Sequence, residues 1–242
     1  MAYQRAYFPT KIIDLSQGYG ALSYSHKHSY ALDLYGEYGL FAPFDCEVTK
    51  VYKPTNTLKA REVWLTSTKK VLCANGYYGY LTISLTHPAG IYKMKVGDKY
   101  KQFQSLGITT ASMTGKYSGP HCHIELSLGK EASWDSKIIE KYGDYVNVNK
   151  IKPEEYLFAV SDAVIKRNTY KLKKYNFIKE ADITYKVVGV PSEPLMIRDK
   201  NGNAIGKLFN GNEVLKFDNK SKCLIYHYEV LGYTYKKYLK KK

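Results

Sequence analysis

Eight residues, Gly119-Pro120-His121-Cys122-His123-Ile124-Glu125-Leu126, limit most sharply what this chain can fold into. A Gly-Pro turn leads into an alternating run, and successive side chains of a strand point to opposite faces. His121 and His123 therefore share one face while Cys122 and Ile124 share the other. Two imidazoles look into one cleft, where both rings can bind one metal, or one can ligate while the other moves protons at a bound water. Surface or core histidines produce the same pattern, so the remaining histidines decide what the pair is for.

The neighbouring segments are short and mostly β in character. Residues 1–20 read as an irregular lead-in. In Ser25-His26-Lys27-His28-Ser29-Tyr30-Ala31-Leu32-Asp33-Leu34, polar loop chemistry passes into an apolar strand that carries a carboxylate. A buried Asp33 needs a partner or a metal, unless it is simply a turn residue at the strand end. Leu40–Tyr52 reads as a turn and an alternating strand, Arg61–Ser67 and Tyr80–His87 as further strands, and Lys69–Ala74 follows a short turn, with a hairpin turn at Asn75-Gly76. The last of these strands ends on a histidine, His87. A turn with strand follows at Lys95–Tyr100, then a loop of small residues from Gly107 to Gly119. Pro153 suits the first turn of a short helix. The expected fold is mainly β, with few helices.

Composition closes off several alternatives. The 242 residues suffice for one or two domains with proper cores, and no apolar run approaches the roughly 20 residues that span a bilayer. The start, Met1 to Pro9, lacks the apolar core of a signal peptide. Cys46, Cys73, Cys122 and Cys223 are far apart and form no Cys-x-x-Cys, so they read as free, mostly buried thiols. The net charge of +15 points to a polyanion or an anionic surface. Residues 166–242 hold 18 Lys and Arg against 7 Asp and Glu, so most of the excess lies there. No nucleic-acid motif accompanies it, and an anionic wall polymer fits that distribution as well as a nucleic acid does.

The order His…Asp, strand-end His, then Gly-Pro-His-x-His resembles the lysostaphin/LytM family of zinc peptidases, which cut peptidoglycan cross-links. Tyr30-Ala31-Leu32-Asp33, Ala42-Pro43-Phe44-Asp45, Lys95-Val96-Gly97-Asp98-Lys99 and Ser118-Gly119-Pro120-His121-Cys122-His123-Ile124-Glu125 carry the likeness in order over residues 20–157, most closely to phage-borne members. The resemblance implies an antiparallel β peptidase domain over 1–160. It implies Zn²⁺ as cofactor, with Asp33, His123 and a histidine of the 25–28 loop as metal ligands. His26 is favoured for the third ligand and His28 is its substitute, since position 29 is serine and the commonest His-x-x-x-Asp spacing is absent. His121 and His87 would be the catalytic histidines, although Leu85 stands where the family's Tyr-x-His pattern has tyrosine. Two imidazoles and a carboxylate would leave the metal an open position at which water is acidified, with His121 close by as the proton carrier.

After a lysine-rich linker expected over 161–180, residues 181–242 resemble a bacterial SH3-type wall-binding domain, a small β-barrel. Leu195-Met196-Ile197-Arg198, Ile205-Gly206 and Gly232-Tyr233-Thr234 through Tyr238-Leu239 carry that likeness, with Tyr233 in place of tryptophan. His227 falls outside the zinc site and is expected to be structural. Together the two resemblances imply a phage endolysin or virion-associated lysin. It would be made in an infected cell's cytoplasm or carried in a virion, and would act on Gram-positive peptidoglycan, with teichoic acids as further partners and no nucleic acid or membrane span. A catalytically inactive wall-binding or tail protein on the same fold is the alternative.

Overall fold

Period-two alternation of apolar and polar residues organises most of the chain into sheets. The structure is a computed structural model and describes residues 3–23, 25–52, 62–87, 89–109 and 119–242. Ser118, Arg61 and most of the small-residue loop, 110–118, lie outside the described residues. Among those described, a nine-stranded sheet runs in the order Val164–Arg167, Ile12–Gln17, Leu32–Tyr35, His121–Leu128, Leu81–Thr86, Glu62–Ser67, Cys46–Tyr52 and Lys99–Tyr100. Lys150–Ile151 also pairs with the His121–Leu128 strand. The first neighbours in that order are parallel and the others antiparallel. The chain is mainly β, with α-helix confined to Ser136–Tyr142 and Pro153–Tyr156 among the described residues.

One face of this sheet is the core. Leu32, Leu34, Val63, Leu65, Leu81, Ile83, Leu85, Cys122, Ile124 and Leu126 are buried on it. Each such leucine, isoleucine or valine contributes about 1.5–3 kcal/mol on leaving water. The alternate residues of the same strands are polar: Asp33, Glu62, Thr66, Thr82, Ser84, Thr86, His121, His123, Glu125 and Ser127, with Trp64 among them. Register sets His123 opposite both Asp33 and Thr86, and Thr86 opposite Glu62, so these four stand in one row across the sheet. The strand reading of the two histidines therefore holds.

That polar face is covered by residues 129–149. Lys50 Nζ donates to the Ala132 carbonyl, Asn147 donates through its backbone N–H to Glu125 and through Nδ2 to Ser84, and Trp134 stacks on Tyr52 at 3.6 Å. The helix Ser136–Tyr142 sits in this cover. Asp135 caps it by accepting from the N–H groups of Lys137 and Ile138, and Gly143 ends it at φ 72°, a left-handed conformation suited to glycine. The sequence reading did not find this helix. Pro153 does open the second one, as its fixed φ favours.

Residues 161–180 correct the expectation of a linker. Val164–Arg167 adds a parallel strand to Ile12–Gln17, and Tyr175 and Phe177 are buried in the core of the large sheet. Most of the lysines here are exposed, which hid an apolar pattern that belongs to the first unit. Gly18 leaves room for it, since a Cβ there would come within 2.2 Å of the Tyr175 hydroxyl.

The C-terminal residues form a second, seven-stranded antiparallel sheet in the order Ala204–Leu208, Leu195–Arg198, Val230–Tyr235, Lys222–His227, Glu213–Lys216, Thr184–Val187 and Leu239–Lys241. Lys222–His227 was not anticipated. Val187, Ile197, Leu208, Val214, Cys223 and Ile225 make a core of its own. A third cluster, Leu72, Leu215 and Tyr226 with Tyr3 and Phe217 against it, joins this sheet to the Val71–Leu72 and Tyr78–Gly79 hairpin, which turns at Gly76, φ 84°. All four cysteines are buried and free. No helix among the described residues is long and apolar enough to cross a membrane.

Candidate metal centre

His123 and Asp33 meet because their strands pair in register, with His123 Nδ1 3.0 Å from Asp33 Oδ1. His26 arrives from the loop before the Leu32–Tyr35 strand and brings its Nε2 to 3.5 Å from Asp33 Oδ2. Its ring lies edge-on to that of His123, with centroids 4.8 Å apart. One donor atom from each of His26, Asp33 and His123 falls within 4.8 Å of the others.

His28 stands apart from this group. Its ring stacks on Tyr142 at 3.8 Å, and its Nδ1 donates to Asp144 Oδ2 at 2.5 Å. Of the two candidate loop histidines, the fold brings His26 to Asp33 and turns His28 towards the cover.

The electrostatics follow from burial. Desolvation lowers His26 to about 4, against the opposing pull of the Asp33 charge, so its imidazole is neutral near pH 7. Burial alone would raise Asp33, but the imidazoles of His26, His123 and His121 outweigh it and hold the carboxyl at about 2, ionised. Burial would lower His123, but its hydrogen bonds to Asp33 and Glu125 prevail and raise it to about 10. Nδ1 of His26 is buried without a hydrogen-bond partner of proper geometry, although the Ala31 carbonyl is close enough to act electrostatically. A neutral imidazole, an ionised carboxylate and an imidazole whose proton a cation can replace form a donor set that suits a borderline divalent ion such as Zn²⁺.

His121 and His87 form a second pair beside the first, with ring centroids 4.5 Å apart. His121 Nδ1 lies 3.0 Å from the Gly119 carbonyl. A carbonyl only accepts, so Nδ1 carries the hydrogen and Nε2 keeps a lone pair that can take a proton. His87 follows the last residue of its strand with φ 80°, an uncommon conformation that costs about 1–3 kcal/mol and is concentrated at functional sites. The structure thus groups His26, Asp33 and His123 on one side and His87 and His121 on the other. His227 lies in the second sheet, where Nδ1 donates to the Glu213 carbonyl.

The sequence reading missed the carboxylates behind this row. Glu125 Oε1 is 3.5 Å from His123 Nε2, and Glu125 Oε2 accepts from Asn147. Its position two residues after His123, on the same face, was the available signal. Glu62 shares the row, and burial with the added charge of Glu125 pushes it up to about 7. Asn147, Tyr142 and Asp144 carry no local signal, since only the tertiary fold brings them here.

No family model matches the chain. It is 33% identical over 138 residues, 55% of its length, to morphogenesis protein 1 of Bacillus phage B103, and it spans about a third (35%) of that protein. Among solved structures it is similar to LytU, at 16% identity and a TM-score of 0.38, over 58% of this chain and 81% of that one. Lysostaphin, solved by NMR, aligns at 14% identity and a TM-score of 0.36 over 92% of this chain and 87% of its own. A zinc-containing peptidase from Vibrio cholerae aligns at 17% identity and a TM-score of 0.36 over 53% and 37%.

Proposed function

We propose that the chain is a zinc-dependent endopeptidase that hydrolyses peptide bonds in the cross-links of Gram-positive peptidoglycan, as a phage endolysin or a virion-associated lysin. The observation that carries this reading is the convergence of His26, Asp33 and His123 on one point, with the His87 and His121 rings beside them. Those three side chains would hold the metal. When bound, Zn²⁺ supplies Lewis acidity towards a carbonyl oxygen and lowers the pKa of water to about 7.

His121 would be the proton carrier. Its Nδ1–H is committed to the Gly119 carbonyl, so Nε2 is the nitrogen that accepts a proton from the attacking water and returns it to the leaving amine. His87, against the His121 ring, would donate a hydrogen bond to the oxyanion that develops on the scissile carbonyl. Glu125, fixed by the Asn147 N–H, would hold the His123 ring in orientation.

The C-terminal sheet would be the SH3-type wall binder. Tyr233 and Tyr235 are 37% and 45% exposed and line a cleft of about 310 Å³ with Arg198, Lys200 and Lys222. The Asp199 carboxylate of that cleft is turned into its own loop by hydrogen bonds from Asn201 and Asn203, which leaves the cations to an anionic polymer. Flat rings for sugars or peptides beside positive charge suit a wall carrying teichoic acids. A relative named for phage morphogenesis supports the virion-associated form, and equally a second reading, an inactive tail component on this fold.

Incubating the zinc-loaded protein with purified Gram-positive walls and titrating new amino groups tests the reading. Release that a chelator abolishes is expected, and sequencing the new N-termini names the bond. Tight wall binding with no amine released from walls of several cross-link types would leave the inactive form.

A further inference from the structure

Among the described residues the Ala31 carbonyl is the group that acts on the His26 ring besides Asp33, Glu125 and the imidazoles, and Nδ1 has no hydrogen bond of proper geometry to fix the ring. The path of the loop backbone therefore matters to its orientation. That loop lies outside the sheet. Gly20 donates to the His26 carbonyl, Ser23 Oγ accepts from the His26 N–H, and Gln17 Nε2 donates to Ser23 and Ser25. These bonds tie its first half to the Ile12–Gln17 strand. On the opposite side, the link is His28, stacked nearly parallel on Tyr142, at 14°, and bonded to Asp144 across 116 residues of chain. Tyr142 ends the Ser136–Tyr142 helix, and the Gly143 turn after it sets the direction in which Asp144 points.

We infer that His28 is a positioning residue of the metal centre: with Tyr142 and Asp144 it clamps the 25–29 loop to the cover and holds His26 in place before a metal binds. This rests on the metal reading above and deepens it. Ordering a free loop costs conformational entropy, and a loop that the clamp already orders spares the binding step that cost. His28 is then needed for affinity without being a ligand.

The test uses the full chain at one pH, comparing wild type with His28→Ala, Asp144→Ala and the double variant. The Zn²⁺ dissociation constant is measured by chelator competition, the Co²⁺ absorption spectrum is recorded at saturation, and folding is checked by circular dichroism. Each single variant is expected to lose about 10–100-fold in affinity, with the double variant no weaker than either, and with the saturated Co²⁺ spectrum unchanged. His28→Gln, which can still donate to Asp144, should recover part of the loss. Wild-type affinity in Asp144→Ala, which removes the acceptor, would overturn the clamp, and because Asp144 is only half-buried and outside the sheet that variant decides even if His28→Ala misfolds. A changed Co²⁺ spectrum in His28→Ala beside normal binding in Asp144→Ala would make His28 a ligand and overturn it too. A wild type that binds neither ion would instead overturn the metal reading itself, and the clamp with it.

Discussion

His121 and His123 stand two residues apart on one strand face, yet their surroundings differ. His123 lies between the carboxylates of Asp33 and Glu125, whereas His121 bonds the Gly119 carbonyl and faces His87. Replacing His121 by alanine should cost about 10²–10⁴ in the rate of amine release while zinc stays bound, which a metal assay beside a single-turnover rate checks. Equal loss of zinc would place His121 among the ligands. Asp45 makes a separate prediction, about stability. Burial would raise its carboxyl, but hydrogen bonds from Gln102 and Gln4 and the Lys69 charge outweigh it and hold it at about 2. A depressed pKa stabilises the fold above the unfolded value of about 3.9, and that contribution is lost as pH falls through about 2. Asp45→Asn should therefore destabilise by about 1–3 kcal/mol in denaturant melts at pH 6, with the gap closing towards pH 2. A gap that does not change with pH would contradict the assignment.

At the scale of elements, period-two alternation made the central strands of the first sheet readable. Leu81–Thr86 and His121–Leu128 emerge almost residue for residue, and with them the shared face of the two histidines. Ile12–Gln17, inside the expected irregular lead-in, and Lys222–His227 were not readable, and two further elements show why. The Ser136–Tyr142 helix buries none of its residues, so it has no apolar stripe to announce it, only the Asp135 cap and the Gly143 stop. Val164–Arg167 was masked by the lysines around it, because membership of a sheet depends on a distant partner, Ile12–Gln17, which no local pattern names. The site shows the same division. The histidines and Asp33 that converge were named through the family resemblance, with His26 already favoured over His28, whereas the contacts of His28 with Tyr142 and Asp144 had no local signal. The parallel strand also predicts where the chain can be cut. A fragment ending at 183 should melt cooperatively, while one ending at 160 loses that strand with Tyr175 and Phe177 and should not. Near-ultraviolet circular dichroism of both fragments checks this, and a native spectrum from the shorter one would return 161–180 to the role of linker.

Across the whole molecule, charge and chemistry are separated. The large sheet carries the histidine cluster, and the C-terminal third carries most of the net +15. Deleting residues 184–242 should weaken sedimentation with walls while leaving hydrolysis of small soluble wall peptides within a few fold, as expected when a tether only raises local concentration. Wall binding of the full chain should also fall between about 0.1 M and about 1 M salt, as the Debye length shortens from about 10 Å to about 3 Å. Binding insensitive to salt would assign recognition to the tyrosine faces alone. The central claim, a metal held by His26, Asp33 and His123, is tested most directly by counting zinc per chain after loading and desalting. About one equivalent is expected in the wild type and in His121→Ala, and almost none in Asp33→Ala or His123→Ala. Undiminished zinc in a folded Asp33→Ala variant would contradict it.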